Sequence, residues 1–307
     1  MILCCGEALI DMLPRRTAEG EAAYVPHAGG AVFNTAIALG RLGAQAGMFT
    51  GLSTDVFGDQ LAAALEAAGV ESGLALRADR PTTLAVVMLS DGQARYSFYD
   101  EGSAGRMLSP DALPALPDAV EALFFGGISL MVEPCGTAYE TLMAREAASR
   151  VTMLDPNIRP GFIADETAYR DRLARMLALA DIVKLSDEDL AWLEGPGEPR
   201  ALARGILAKG PQIVFLTHGG EGALALTRTD EIALPAPPVE VADTVGAGDT
   251  FNAGVLAALQ SEGKLNRTAL AGLGGEALSR ALALGIKAAA ITVSRPGANP
   301  PWAREIA

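Results

Sequence analysis

One segment of the sequence combines two glycines with a carboxylate at a spacing that suits phosphate chemistry. It reads Asp243-Thr244-Val245-Gly246-Ala247-Gly248-Asp249-Thr250-Phe251, and Thr250–Leu259 then has the apolar periodicity of a helix. Two glycines one residue apart let the backbone turn tightly, so that loop N–H groups and the positive end of the helix dipole converge on one point. Gly246, Ala247 and Gly248 are therefore the predicted anion hole.

Asp249 falls in the first turn of that predicted helix, where its carboxylate would repel a bound phosphate. The position becomes useful when a hydroxyl lies between the two groups and loses its proton as it attacks a phosphoryl group. We predict that Asp249 is a general base kept ionised by the helix dipole. A glycine-rich turn with Asp249 as an ordinary helix-start residue would give the same local pattern.

Composition excludes several classes of protein. The 307 residues include 24 basic and 37 acidic side chains, a net charge of −13, and 50% are hydrophobic. A chain of this length and apolar content can bury a large core and is not disordered. The lysines are scattered through the second half, which argues against a nucleic-acid partner because phosphate contacts need clustered cations.

The location predicted from the sequence is the cytoplasm, with no membrane partner. No stretch approaches the roughly 20 apolar residues of a spanning helix, and no basic segment with an apolar run opens the chain. The thiols Cys4, Cys5 and Cys135 make neither a disulfide framework nor a zinc site.

Short apolar runs alternate with amphipathic stretches along most of the chain. The predicted strands are Met1–Cys5, Ala46–Gly51, Ala122–Phe125, Val151–Leu154, Ile182–Leu185 and Ile213–Thr217. The predicted helices between them include Ala31–Leu42, Gly58–Ala68, Thr137–Ser149 and Thr167–Leu179. This alternation predicts an α/β fold with a central, mostly parallel sheet that helices cover on both faces, and with ligands at the carboxyl ends of the strands.

One region departs from the alternation. Thr82–Leu89 and Ala94–Tyr99 are rich in β-forming residues and flank Ser90-Asp91-Gly92-Gln93, a hairpin signal. Together with Ala22–Val25 they predict a small sheet outside the main one, which suggests a lid over the ligand crevice. An edge hairpin of the main sheet is the alternative.

Several motifs together resemble the ribokinase/PfkB family of carbohydrate kinases. Asp243–Leu256 is similar to its C-terminal signature and Gly29–Ala36 to its N-terminal one, with Val32 where proline is usual. Further similar segments are Gly6-Glu7, Asp155–Arg159, Lys184–Asp189, Thr217–Gly222 and Ser294–Ala298. The resemblance implies one ribokinase-like domain over residues 1–307, with a β lid from about 12–28 and 73–105.

The resemblance also implies an ATP-dependent sugar kinase and a set of site residues. The residues implied to bind the substrate are Asp11, Gly30, Asn34, Tyr99 and Arg159. Of these, Tyr99 belongs to the lid, and Arg159 is implied to hold a phosphate or a substrate oxygen. Thr217, Gly219 and Gly222 are implied to line the nucleotide, while Ser186 and Asp189 organise Mg²⁺ and phosphate through water. The resemblance also implies a K⁺ site, to which Asp243 and the Val245 carbonyl would supply oxygens. The alternative is that Asp243 only braces the loop.

Fructose is the substrate that the resemblance favours. Phe98–Arg106, Asp155–Arg159 and Ser186-Asp187-Glu188 are similar to the corresponding segments of bacterial fructokinases. 2-Keto-3-deoxygluconate, whose carboxylate Arg159 or Arg95 would bind, and ribose are the alternatives. A non-catalytic sugar or nucleotide sensor is the alternative from another class. Pairing of lid strands between two chains would give a homodimer.

Overall fold

A computed structural model describes residues 1–90 and 93–306. The strands are β1 (Ile2–Cys5), β2 (Leu9–Arg16), β3 (Ala22–Gly29), β4 (Ala46–Phe49), β5 (Gly51–Ser53), β6 (Leu76–Ala78), β7 (Leu84–Ser90), β8 (Gln93–Tyr99), β9 (Ala122–Gly126), β10 (Val151–Asp155), β11 (Ile182–Ser186), β12 (Ile213–Thr217), β13 (Ala223–Leu226) and β14 (Glu231–Leu234). The α-helices are α1 (Ala31–Arg41), α2 (Val56–Ala67), α3 (Cys135–Glu146), α4 (Glu166–Leu179), α5 (Asp187–Glu194), α6 (Pro199–Leu207), α7 (Ala247–Ser261), α8 (Arg267–Ala271), α9 (Gly275–Val293) and α10 (Ala303–Ile306). None of the helices in these two ranges is long and apolar enough to span a membrane.

The main sheet confirms the predicted α/β class. Its eight strands run in the order β14-β13-β12-β11-β10-β9-β1-β4. The six from β12 to β4 are parallel, whereas β13 and β14 are antiparallel to their neighbours. The sheet is therefore mostly parallel, as predicted. At this edge the few residues between β12 and β13 form a tight turn, which is too short for the crossover that a parallel pair requires.

Side chains of β1 show how the sheet separates two cores. Ile2 and Cys4 point into one core, which helices α1, α2, α7 and α9 cover. Leu3 and Cys5 point into the other, which α3, α4, α5 and α6 cover. Because successive side chains of this buried strand face two different helical layers, the segment is apolar at every position.

Strands β3, β2, β7 and β8 form a separate four-stranded sheet, here called the small sheet. The alternative of an edge hairpin on the main sheet is therefore wrong. The small sheet begins at Leu9, before the start of the first predicted lid range at about residue 12. Leu76–Ala78 lies inside the second predicted range, about 73–105, but pairs with Gly51–Ser53 in a separate two-stranded sheet. The turn predicted at Asp91 and Gly92 lies outside the described residues.

All four strands of the small sheet reach the body of the protein at the same end. In the pairing register, Leu9 is opposite Gly29 and Leu84 is opposite Tyr99. Beside this end, the Asp55 carboxylate caps α2 and also accepts bonds from the N–H and hydroxyl of Thr82, at 2.9 and 2.6 Å. The pKa of Asp55 falls to about 2 because these bonds outweigh partial burial. Asp55 thus joins the small sheet to α2.

Helix α7 is held at a short distance from α9 by two glycines. A Cβ placed on Gly254 would lie 2.7 Å from the Cα of Gly285. Any side chain at Gly254 must therefore move the two helices apart. The close approach fixes α7, whose first turn carries the predicted base.

We expect Gly254→Ala to lower the free energy of unfolding by about 1–3 kcal/mol, the usual cost of overpacking a core. Gly205→Ala is the matched control, since Gly205 is also inside a helix but a Cβ placed on it would have no heavy atom within 4 Å. It should raise stability by about 0.5–1 kcal/mol through helix propensity alone. Urea denaturation of both variants tests the contrast, and a shift in the same direction for both would contradict it.

Candidate active site

The glycine loop enters α7 as the sequence predicted. Gly246 is the residue before the helix and has φ 79°, a left-handed conformation that favours glycine. Ala247, Gly248 and Asp249 then form the first turn, in which helix N–H groups have no partner within the helix. The loop therefore presents free donors at the start of a fifteen-residue helix, as an anion hole requires.

Asp249 is 7% exposed and lies against α1. Its Oδ2 accepts a hydrogen bond of 2.9 Å from the Asn34 side chain, and the Thr35 hydroxyl donates to its backbone carbonyl. The structure thus brings a predicted sugar-binding residue directly onto the predicted base.

The pKa of Asp249 is raised to about 7, chiefly by burial and further by the nearby Asp155 carboxylate. The Asn34 hydrogen bond and the Lys184 ammonium oppose this rise without reversing it. The expectation that the helix dipole keeps Asp249 fully ionised is therefore wrong near neutral pH, because loss of water outweighs the dipole. A pKa near 7 suits a group that must take up a proton.

Three predicted sugar-binding residues come together from distant segments. Asp11 is on β2, Tyr99 ends β8, and Gly30 links β3 to α1, where its carbonyl accepts from the Asn34 N–H at 2.8 Å. All three are at the end of the small sheet that meets the body. Asp11 is half-buried, and within the described residues its carboxylate accepts no hydrogen bond. Burial raises its pKa to about 6.

Arg159 lies in the loop after β10, opposite the small sheet. Its exposed guanidinium donates to the carbonyl of Ile158 at 3.0 Å, and no ion pair with a carboxylate forms in the parts of the chain described. Phe162 from the same loop meets Phe98 of β8 edge to face, with ring centroids 4.6 Å apart. The loop and the small sheet are therefore in contact next to Arg159.

A cleft of about 490 Å³ opens beside the glycine loop. The predicted nucleotide residues Thr217, Gly219 and Gly222 line one side, and Ala247 and Gly248 of the anion hole line another. The remaining walls are mostly small apolar side chains such as Val239 and Ala290. A mostly apolar cleft that ends at free backbone donors fits a base with phosphates attached.

Ser186 and Asp189 form a capping box at the start of α5. The Ser186 N–H and hydroxyl donate to Asp189 Oδ2, and the Ile158 N–H donates to Asp189 Oδ1 at 2.8 Å. Both oxygens of Asp189 therefore already accept hydrogen bonds from the chain, and the side chain is 5% exposed. The contact with Mg²⁺ through water stays a prediction.

Asp243 braces the loop from its other side. Its Oδ1 accepts from the Val245 N–H at 3.0 Å and its Oδ2 from the Gly297 N–H at 2.9 Å. These are the contacts expected of a purely bracing residue. Binding of K⁺ by Asp243 and the Val245 carbonyl stays a prediction.

Sequence reasoning assigned no role to three buried polar residues beneath the loop. The Lys184 ammonium donates to Asp155 Oδ2 at 3.2 Å, and the Asn252 side chain donates to the same oxygen at 2.7 Å. The available signal was a lysine inside the apolar run Ile182–Ser186 and an aspartate ending another strand. Glu7, also unassigned, accepts the first N–H groups of α1.

A glycine loop with free N–H groups, a buried carboxylate whose pKa is raised to about 7 and an adjoining cleft lie on one edge of an α/β sheet. This arrangement suits a phosphotransferase. The pfkB family of carbohydrate kinases matches residues 1–304, and the chain belongs to that family. It is therefore a sugar kinase.

Relatives and solved structures agree with this assignment. A fructokinase of Rhizobium leguminosarum bv. trifolii is 53% identical over 278 residues, covering 91% of this chain and 85% of the relative. A fructokinase of Klebsiella pneumoniae is 35% identical and covers 84% of both chains. The crystal structure of a fructokinase with bound ATP from Xylella fastidiosa has a TM-score of 0.89 at 29% identity, covering 99% of this chain and 96% of that one.

The raised pKa of Asp249 predicts a pH-dependent effect of Asp249→Asn on stability. Between the unfolded pKa of 3.8 and the folded value of about 7, the folded wild type holds a proton that the unfolded chain releases. The stabilisation of the folded wild type by this bound proton is fully present below pH 3.8 and is lost as the pH rises toward 7. The free energy of unfolding of Asp249→Asn should therefore increase relative to that of wild type by up to roughly 2 kcal/mol between pH 5 and 7.

Urea denaturation at several pH values measures this difference. Asp118→Asn makes the same substitution on the surface and controls for the change of residue. A difference between Asp249→Asn and wild type that is constant from pH 5 to 8 would show that the carboxylate is not protonated in the fold.

Proposed function

We propose that the protein is an ATP-dependent fructokinase that converts fructose and ATP to fructose 6-phosphate and ADP. The observation that carries the proposal is the hydrogen bond between Asn34 and Asp249, because it joins the residue proposed to bind the sugar to the residue proposed as the base, beside the Gly246–Gly248 loop. Similarity to fructokinases over most of the chain supports fructose as the acceptor.

In the proposed reaction Asp249 accepts the proton of the sugar hydroxyl as its oxygen bonds to the γ-phosphorus of ATP. The bond between that phosphorus and the bridging oxygen breaks, and ADP leaves with the electron pair. N–H groups of Gly246, Ala247 and Gly248 stabilise the charge on the transferring group. Ser186 and Asp189 would hold the Mg²⁺ of the ATP complex through water, and the metal would neutralise phosphate charge when bound.

The sugar is held by the groups at the base of the small sheet. An Asp11 carboxylate with unused acceptor capacity suits a neutral polyol, whose hydroxyls donate to it, better than an anionic sugar. Asn34 and the backbone at Gly30 complete the contacts, and Tyr99 covers the sugar when the small sheet acts as a lid. Arg159 is proposed to bind an oxygen of the transferring phosphate.

Asp249→Asn should lose 10²–10⁴-fold or more in turnover, about the scale of a missing general base. The variant should still bind ADP, because the cleft and loop are unchanged. Steady-state kinetics together with calorimetric titration of ADP separate the two effects. Near wild-type turnover in the variant contradicts the mechanism, and absence of turnover in wild type with every sugar favours the sensor.

A panel of fructose, ribose, 2-keto-3-deoxygluconate and adenosine tests the substrate. Fructose should have the highest kcat/KM at saturating ATP, and Asp11→Ala should raise the KM for fructose sharply while the KM for ATP stays the same. A preference for 2-keto-3-deoxygluconate would contradict fructose as the substrate and would indicate that Arg159 or Arg95 binds the carboxylate of that sugar acid. The side chain of Arg95, the other candidate, lies outside the described part of the chain.

We also propose a homodimer formed through the small sheet. Strands β3 and β8 are the edges of this sheet, and Tyr24, Val25 and Met88 are 45, 40 and 42% exposed. Light scattering at micromolar concentration should give twice the chain mass, and Val25→Lys should halve it. Val56→Lys, at a residue of α2 that is 73% exposed, is the matched control. A monomeric wild type refutes the proposal.

A further inference from the structure

Lys184 is a buried lysine at the centre of the carboxyl edge of the main sheet. It is 4% exposed, and its Nζ donates to Asp155 Oδ2 at 3.2 Å. An ammonium carries three N–H donors. Within residues 1–90 and 93–306, Asp155 is the one acceptor that Lys184 reaches. Two donors are therefore left without a partner in a place that water does not reach freely.

The free side of this ammonium faces the anion hole. A Cβ placed on Gly248 would lie 3.1 Å from Lys184 Nζ, closer than to any other heavy atom outside its own turn. Gly248 also lines the cleft proposed for the nucleotide. The ammonium is thus in contact range of the backbone that is to receive the transferring phosphoryl group, with no side chain between them.

The charges around Lys184 keep it protonated. Burial alone would lower its pKa, but the carboxylates of Asp155, Asp189 and Asp249 raise it above the ordinary value. An incoming phosphate would be repelled by these carboxylates. In the described part of the chain, Lys184 is the buried cation beside them. A permanent positive charge here offsets a repulsion that the loop N–H groups must otherwise overcome alone.

Asp155 controls where the ammonium lies. Its Oδ2 accepts from both Lys184 and Asn252, and its Oδ1 accepts from the Asn157 N–H at 3.2 Å. The carboxylate is thus fixed from three directions and is not free to follow the ammonium. In the described part of the chain Lys184 makes this one hydrogen bond, and its Nζ also lies beside Gly248.

We propose that Lys184 is a catalytic residue whose ammonium donates to the γ-phosphoryl group of ATP at the Gly246–Gly248 loop, with Asp155 as its positioning residue. This rests on the proposed kinase reaction. The ammonium keeps its proton throughout, and the bonds made and broken are those described above. The opposing interpretation is a buried ion pair that only stabilises the fold.

The test uses a charge-neutral double variant, Lys184→Met with Asp155→Asn. Removing Lys184 alone would strand a buried carboxylate and endanger folding, whereas the double variant keeps an amide for Asn252 and Asn157 to bond. Asp155→Asn alone separates the two partners. Lys209→Met, at a surface lysine paired with Glu194, controls for the substitution.

We expect the double variant to lose about 10²–10³-fold in turnover, the scale for one lost oxyanion donor. It should bind the β,γ-imido analogue of ATP at least about tenfold more weakly, yet bind ADP as wild type does, because only the γ-group touches Lys184. Asp155→Asn, which keeps the ammonium, should lose about tenfold or less, and Lys209→Met should match wild type.

Three results would overturn the proposal: turnover of the double variant within a few-fold of wild type, equal weakening of ADP and the imido analogue, or a loss in Asp155→Asn as large as in the double variant. Melting temperatures show whether each variant is folded. If wild type phosphorylates no sugar, the kinase proposal fails, while the comparison of the two nucleotides still decides whether Lys184 binds the γ-phosphate.

Discussion

Several carboxylates are buried together at the carboxyl edge of the main sheet, and their charge is the constraint that shapes the site. Each needs donors, since a buried charge without them is costly. Glu7 takes N–H groups from the start of α1 and from Ser129. Asp189 takes those of Ser186 and Ile158, and Asp155 takes Lys184 and Asn252. In the described part of the chain the Asp249 carboxylate accepts a hydrogen bond only from the Asn34 amide, and burial raises its pKa to about 7, which suits a group that exchanges a proton.

The site residues that local sequence could predict are adjacent in the chain or end a predicted strand. Gly246, Gly248 and Asp249 are adjacent, so their joint role follows from the start of one helix, and the strand-end position of Thr217 follows from the parallel sheet. Lys184 and Asp155 were assigned no role because the contact between them depends on the neighbouring strands β10 and β11 lying side by side. A single lysine in an apolar run also has no periodicity to mark it.

The errors have related causes. The helix dipole acts on Asp249, but desolvation of a fully enclosed carboxylate is a tertiary effect that one helix does not reveal. Likewise, the hairpin motif at β7 and β8 specifies a local pairing, while the choice between the main sheet and the small sheet depends on β2, whose parallel contact with β7 comes from a distant part of the chain.

Attachment of the small sheet at one end makes it a lever. Its strand β7 has seven residues and extends ~23 Å from the attached end. A ten-degree rotation about that end would move the far tip by roughly 4 Å but Asp11, two residues from the start of β2, by only about 1 Å. A sheet anchored in this way can move at its free tip while Asp11, near its base, almost keeps its spacing to Asp249.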